Sequence, residues 1–391
     1  MAGFAVLVVA AVASLFMAWA IGAGSSGSTP FAPAVGANAI PVMRAGFVVG
    51  ILGLAGAVLQ GQNVSQAVGN ELVLGPTLTP LAATTALIIA AVLVAVGVFA
   101  GYPIATAFTV TGAVVGTGLA MGGAPAWAKY RVIASMWVLV PFVGGGIAYA
   151  TARALRSIDA DTVTVPVLGA VVGALVANVQ FALLGSPDVP SRSVAGAAAA
   201  MAGEYELAIE VLVTLALAAV VALALYRDVS ADPERGQRHF LLALGGLVAF
   251  SAGGSQVGLA VGPLFPLIGG DVPTVYLLVG GGVGLLVGSW TGAPRMIKAL
   301  SQDYSNLGPR RSIAALIPSF AIAQTAVLLG VPVSFNEIIV SAIVGSGYAA
   351  AGVGGGVSRR KMLFTVLAWI GSLALALGVS YGAYAAVSAV I

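Results

Sequence analysis

Residues 101–118 read GYPIATAFTVTGAVVGTG, and residues 330–347 read GVPVSFNEIIVSAIVGSG. Laid without a gap at an offset of 229 residues (Gly101 against Gly330), six positions are identical. Gly101, Pro103, Ala113, Val115, Gly116 and Gly118 return as Gly330, Pro332, Ala342, Val344, Gly345 and Gly347, and most other pairs are conservative. A second pair lies at a nearby offset: GAGSSGSTPFAPAVG at 22–36 and AGGSQVGLAVGP at 252–263. Recurrence at one spacing divides the chain into related units. Residues 1–226 form a first half containing the first repeat, 227–238 a charged linker that reads as solvated, and 239–391 the second repeat.

Gly, Pro and hydroxyl residues cluster at all four segments inside apolar surroundings. Backbone groups freed by a helix break cannot face lipid, so broken helices occur where protein or a watery cavity satisfies them. Breaks at matching places in two halves point to a binding site near the membrane midplane. The plainer reading is that small residues let helices pack closely.

Composition sets this reading in a bilayer. The 391 residues are 60% hydrophobic and 7% charged, against roughly a quarter charged in a soluble domain. Apolar runs at 4–21, 41–60, 81–100, 132–151, 163–184, 207–226, 239–252, 274–290, 312–329, 337–351 and 362–390 approach the ~20 residues that a spanning helix needs. The expected fold is an all-α integral membrane protein with about 10–12 transmembrane helices in two inverted repeats with broken or re-entrant helices. The net charge of +3 reflects Lys and Arg in short loops, where they orient helices, rather than a nucleic-acid partner. With no Cys and one His, thiolate chemistry and disulfides are excluded. His239, beside Arg238, reads as a solvated interface residue. No Gly-x-Ser-x-Gly, His-Glu-x-x-His or phosphate-loop motif supports an enzyme, and no cofactor or metal is expected.

At the four segments the chain resembles the inorganic phosphate transporter family (PiT), including its sulfate permease branch. Phe250–Pro263 aligns without gaps on the family's FAHGSNDVANAIGP, and Ala23–Phe31 on the first-half version. The family's PVSTTH-like motif falls on Pro103–Phe108 and on Pro332–Glu337. The resemblance implies a carrier of phosphate or sulfate working by alternating access in the cell membrane, and a homodimer.

The departures carry the chemistry. Ser26 and Gln256 stand where the family has its two aspartates, and Thr29 and Leu259 where it has the following asparagines. In the family those groups hold sodium and help hold the anion, so their loss points to a proton rather than sodium. An ionised carboxylate only accepts hydrogen bonds, which suits hydrogen phosphate and repels sulfate. A neutral site of hydroxyls, amides and backbone N–H groups suits a proton-free dianion, and helix N-termini add to it. The balance leans to sulfate over phosphate. The expected binding side chains are Ser25, Ser26, Thr29, Thr106, Ser255, Gln256, Ser334 and Asn336, with backbone N–H groups near Gly24 and Gly254. Glu337, at the position of the family's second-half His, is the ion-coupling candidate, since ionisable residues inside a membrane are usually functional; the alternatives are an acceptor for a protonated substrate and an acid near the interface exposed to water. A sodium-coupled phosphate transporter and an anion channel are the alternatives.

Overall fold

The computed structural model describes residues 2–158, 160–185, 189, 191–268, 272–349 and 357–390. In chain order the first part holds α1 (Ala2–Ile21), α2 (Ala32–Gly36), α3 (Val42–Gln60), α4 (Gln62–Asn70), α5 (Pro80–Ala100), α6 (Thr106–Ala120) and α7 (Trp127–Ser157). Then come α8 (Asp161–Ala177), α9 (Val194–Ala199) and α10 (Glu206–Ala231). The remainder holds α11 (Pro233–Val261), α12 (Phe265–Ile268), α13 (Thr274–Thr291), α14 (Ala293–Gln302), α15 (Pro309–Leu328), α16 (Phe335–Tyr348) and α17 (Arg359–Ser388). Two ladders of two residues per strand, Val73–Leu74 with Ala124–Pro125 and Gln180–Phe181 with Arg192–Ser193, are the sheet among the described residues.

Among the described residues nine helices are long and apolar enough to cross a membrane, and α6 and α8 are shorter apolar helices. The all-α, many-span expectation therefore holds. Two short helices mark where apolar runs mislead: the run at 163–184 ends as a helix at Ala177, and the run at 337–351 is helical from Phe335 to Tyr348.

Charge divides the bundle into two ends. One end is tied by Arg310–Asp161 (2.9 Å), Lys361–Asp303 (3.0 Å) and the Arg238 guanidinium donating to the Ala39 carbonyl. The other is marked by Lys129–Glu71 (2.6 Å) and by Tyr130 donating to the Leu72 carbonyl. Of the 16 Lys and Arg residues, Lys129, Arg131 and Arg192 lie toward this second end, and the positive-inside rule predicts that the first end faces the cytoplasm.

The breaks follow from local chemistry at three of the four segments. The end of α1 opens into a π-turn over Gly22–Ser26, and the chain turns before Ala32 starts α2, with Pro33 in its first turn. The helices α5 and α15 each stop at a left-handed glycine, Gly101 (φ 73°) and Gly330 (φ 59°). Tyr102 N–H then reaches back to the Gly97 carbonyl and Val331 N–H to the Ala326 carbonyl, both at 3.0 Å. This is one helix-ending hydrogen-bond pattern repeated at the 229 offset. Extended residues follow, and α6 and α16 begin beyond Ala105 and Ser334.

The fourth segment differs. Residues 252–261 lie inside the unbroken α11, and Pro263 sits in the 3₁₀ turn after it. The glycines there serve close packing: a Cβ on Gly253 would stand 1.9 Å from the Gly53 carbonyl oxygen, and one on Gly258 2.7 Å from Ser65 N. The plainer reading was the correct one at this place. The linker also differs, being helical on both sides of Asp232. Asp232 caps α11 by accepting from the N–H groups of Glu234 and Arg235, ahead of Pro233 at the first helical position, a sequence start signal. His239 is half exposed there and sits 2.6 Å from Asp228.

Candidate functional site

All eight expected binding side chains are at most 2% exposed. Burying this many hydroxyl and amide groups is costly unless they find partners, so their bonds reveal how the segments meet. Gln256, on α11, is the hub. Its Oε1 accepts from Thr106 Oγ1 (2.7 Å), at the start of α6, and from Ser25 Oγ (3.3 Å), in the π-turn. Its Nε2 donates to the Val333 carbonyl (2.8 Å), just before α16. Asn336, in the first turn of α16, donates through Nδ2 to the Ile104 carbonyl (2.6 Å) and the Gly24 carbonyl (2.9 Å). Side chains and carbonyls from all four sequence segments thus join in one buried knot.

Ser26 Oγ, Ser255 Oγ, Ser334 Oγ and Asn336 Oδ1 are buried there without a hydrogen-bond partner. Each is next in sequence to a member of the knot or belongs to it. Orphaned buried polar atoms are rare and call for an explanation. Thr29 stands apart, since its hydroxyl donates to the Ser25 carbonyl and closes its own turn (3.0 Å).

The N–H groups expected near Gly24 and Gly254 lie within helical turns, which corrects that expectation: Gly254 is inside α11 and Gly24 inside the π-turn. The free backbone donors belong instead to the first turns of α6 and α16, where helix geometry leaves N–H groups without partners. Those helices have 15 and 14 residues, enough for a positive dipole end at each.

Glu337 is 1% exposed and its Oε2 has no partner among the described residues. It lines a largely apolar groove of about 800 Å³ with Phe108, Trp137, Tyr348 and Trp369. Its neighbour Asn336 faces the knot. Arg44 and Arg295, which flank apolar runs, are exposed, as side chains that snorkel to the headgroups are.

Sequence reasoning missed a second polar layer. Gln60 and Gln324 exchange amide hydrogen bonds in both directions at 3.2 Å, and Gln324 also donates to Ser251 (2.6 Å), one turn before Ser255 on α11. The pair floors a cavity of about 380 Å³ whose polar lining includes Asn63, Asn178, Gln180 and Ser191. Both glutamines sit near the ends of helices that start at the basic face, so this cavity lies toward the opposite end of the bundle. Isolated glutamines in apolar helices are the signal that could have found it.

Comparison with known proteins places this arrangement. The model of a phosphate transporter family matches residues 21–380. A Pyrococcus furiosus protein, provisionally named a phosphate permease, is 26% identical over 366 residues, covering 88% of this chain and 87% of that one. The Arabidopsis thaliana chloroplastic inorganic phosphate transporter 2-1 is 23% identical over 378 residues, covering 85% of this chain and 64% of that one. The solved structure of a sodium-dependent phosphate transporter superposes with a TM-score of 0.82 at 22% identity, covering 99% of this chain and 100% of that one.

Proposed function

The chain belongs to the phosphate transporter family, and we propose that it is a secondary transporter that takes sulfate in preference to phosphate and a proton in place of sodium. Family membership makes it a multi-pass membrane transporter and not an enzyme. The observation that carries the substrate reading is the hub itself. A neutral glutamine, not a carboxylate, gathers Thr106, Ser25 and Val333. Within the knot, or next in sequence to its members, the orphaned groups are three hydroxyls and one amide oxygen. A dianion needs its hydration replaced by donors, and the hydroxyls and the first-turn N–H groups of α6 and α16 supply them without introducing negative charge. Glu337 is the buried acid closest in sequence to the knot and is the group assigned the coupling proton.

Alternating access draws support from the directions of the elements. The α5–loop–α6 hairpin turns near Lys361 at the basic end, whereas the α15–loop–α16 hairpin turns near Lys129 at the other end. That is the relation expected of inverted repeats, with α8–α10 standing outside the repeated order. A homodimer, implied by the family resemblance, belongs to the same proposal.

A second reading, sodium-coupled phosphate transport, is favoured by the names of the relatives and by Asn336 Oδ1, an unpartnered oxygen of the kind that ligates sodium. An anion panel in proteoliposomes separates the readings. Saturable sulfate uptake with counterflow, weakly competed by phosphate, is expected. Phosphate uptake that sulfate leaves untouched would overturn the substrate reading, and a non-saturating conductance would overturn the carrier.

A further inference from the structure

The two hairpin loops are gripped alike at opposite faces. At the basic face Lys361, on α17, pairs with Asp303 at 3.0 Å, lies 4.5 Å from the Tyr102 ring centre and approaches the Gly101 carbonyl at 3.5 Å. Two turns along α17, the Trp369 indole donates to the Pro103 carbonyl at 2.7 Å. At the other face Lys129, on α7, pairs with Glu71 at 2.6 Å and approaches the Gly330 carbonyl at 3.4 Å. The Trp137 indole donates to the Pro332 carbonyl at 2.9 Å. The gripping residues correspond at one offset of 232 (Lys129 against Lys361), as do Glu71 with Asp303 and Trp137 with Trp369. In each case the gripping helix comes from one half and the loop from the other.

We propose that Lys129 with Glu71, and Lys361 with Asp303, are positioning residues that latch the two loops, one latch for each face of the carrier. The loops lead straight into the binding knot. Pro103 precedes Ile104, whose carbonyl Asn336 holds, and Pro332 precedes Val333, whose carbonyl Gln256 holds. Freeing a loop therefore loosens the knot from one side only. The acids are about half exposed, Glu71 at 51% and Asp303 at 44%. Ion pairs in such settings are weak, as a contact broken in every transport cycle must be. The tryptophans keep each loop's register while the ion pair opens and closes. The inference rests on the carrier reading above, but its test requires no substrate.

The absence of Cys from the chain allows a single reporter thiol. Ser255→Cys places it at a buried position beside Gln256. Labelling by a membrane-impermeant thiol reagent is then measured on intact cells and on inside-out vesicles. Lys129→Ala should accelerate labelling several-fold from outside, and Lys361→Ala several-fold from the cytoplasmic side. The conservative Lys129→Arg, which keeps a cationic donor for both Glu71 and the Gly330 carbonyl, should leave the external rate near the starting value. Acceleration from the same face by both variants, or from neither, would overturn the latches. Should the first reporter fail to reach the membrane, Ser334→Cys serves the same comparison. Absence of sulfate uptake by the unaltered, cysteine-free chain alongside intact sided labelling of the reporter variants would count against the substrate reading and leave the latches standing.

Discussion

At the scale of single residues, Gln256 and the hydroxyls it gathers decide which anion the centre accepts. Thr106→Val keeps the side chain's shape and removes the shorter of the two bonds to Gln256 Oε1. A hydrogen bond to a charged group is worth ~1.5–3 kcal/mol, so losing a donor in the anion site should weaken binding roughly ten- to a hundredfold. The half-saturation concentration for sulfate uptake reads this directly. Gln256→Asp is sharper, because it restores the family's carboxylate and removes the donor to Val333. The sulfate-to-phosphate uptake ratio should fall, and an unchanged ratio would mean that position 256 does not read the anion. Glu337→Gln keeps the size and removes the acid from the groove. It should flatten the pH dependence of uptake more than it weakens sulfate binding; equal losses in both would assign Glu337 to the anion instead. Seven of the eight expected binding residues belong to the knot or adjoin its members. They were legible because polar residues clustered in apolar sequence at repeated positions. Thr29 was not distinguishable from them, since a hydroxyl that closes its own turn has the same sequence appearance as one that faces a ligand.

At the scale of elements, the hairpins were legible and α11 was not. Gly followed two residues later by Pro, at Gly101–Pro103 and Gly330–Pro332, combines a left-handed stop with a residue that resists helix, and the chain breaks there. Around Gly253 and Gly258 the same small-residue composition gives an unbroken helix, because a neighbouring backbone lies against them. Sequence does not distinguish a glycine that breaks a helix from one that brings two helices together. The distinction is testable by stability. Gly253→Val would drive side-chain atoms into the Gly53 carbonyl, and overpacking typically costs about 1–3 kcal/mol. Gly280 has open space where a Cβ would go, and removing a helical glycine in favour of alanine gains up to about 1 kcal/mol. Thermal unfolding of detergent-solubilised protein should therefore show Gly253→Val below and Gly280→Ala at or above the unaltered chain. The reverse order would contradict the packing assigned to α3 and α11. The latch residues were not among the sequence expectations, although Lys-x₇-Trp stands at both Lys129–Trp137 and Lys361–Trp369. Their offset differs by three residues from that of the hairpins, so a gapless comparison passes over them.

At the scale of the whole molecule, two hairpins turning at opposite faces meet at a neutral polar centre. Each loop is held by a helix from the other half, so movement at one face reaches the centre without requiring the same movement at the opposite face. The solved structure shares this fold, and its name carries sodium and phosphate, whereas the present chain has Ser26 and Gln256 where the family resemblance puts aspartates. The fold was accessible from sequence because the bilayer demands long apolar helices and internal satisfaction of backbone groups. The coupling ion was not, because it depends on where single oxygen atoms end up. It is decided most directly by uptake into proteoliposomes with the sodium and proton gradients imposed one at a time. Concentrative sulfate uptake is expected under an inward proton gradient with no sodium present, and none under a sodium gradient alone. Phosphate accumulation that requires sodium and ignores the proton gradient would contradict it.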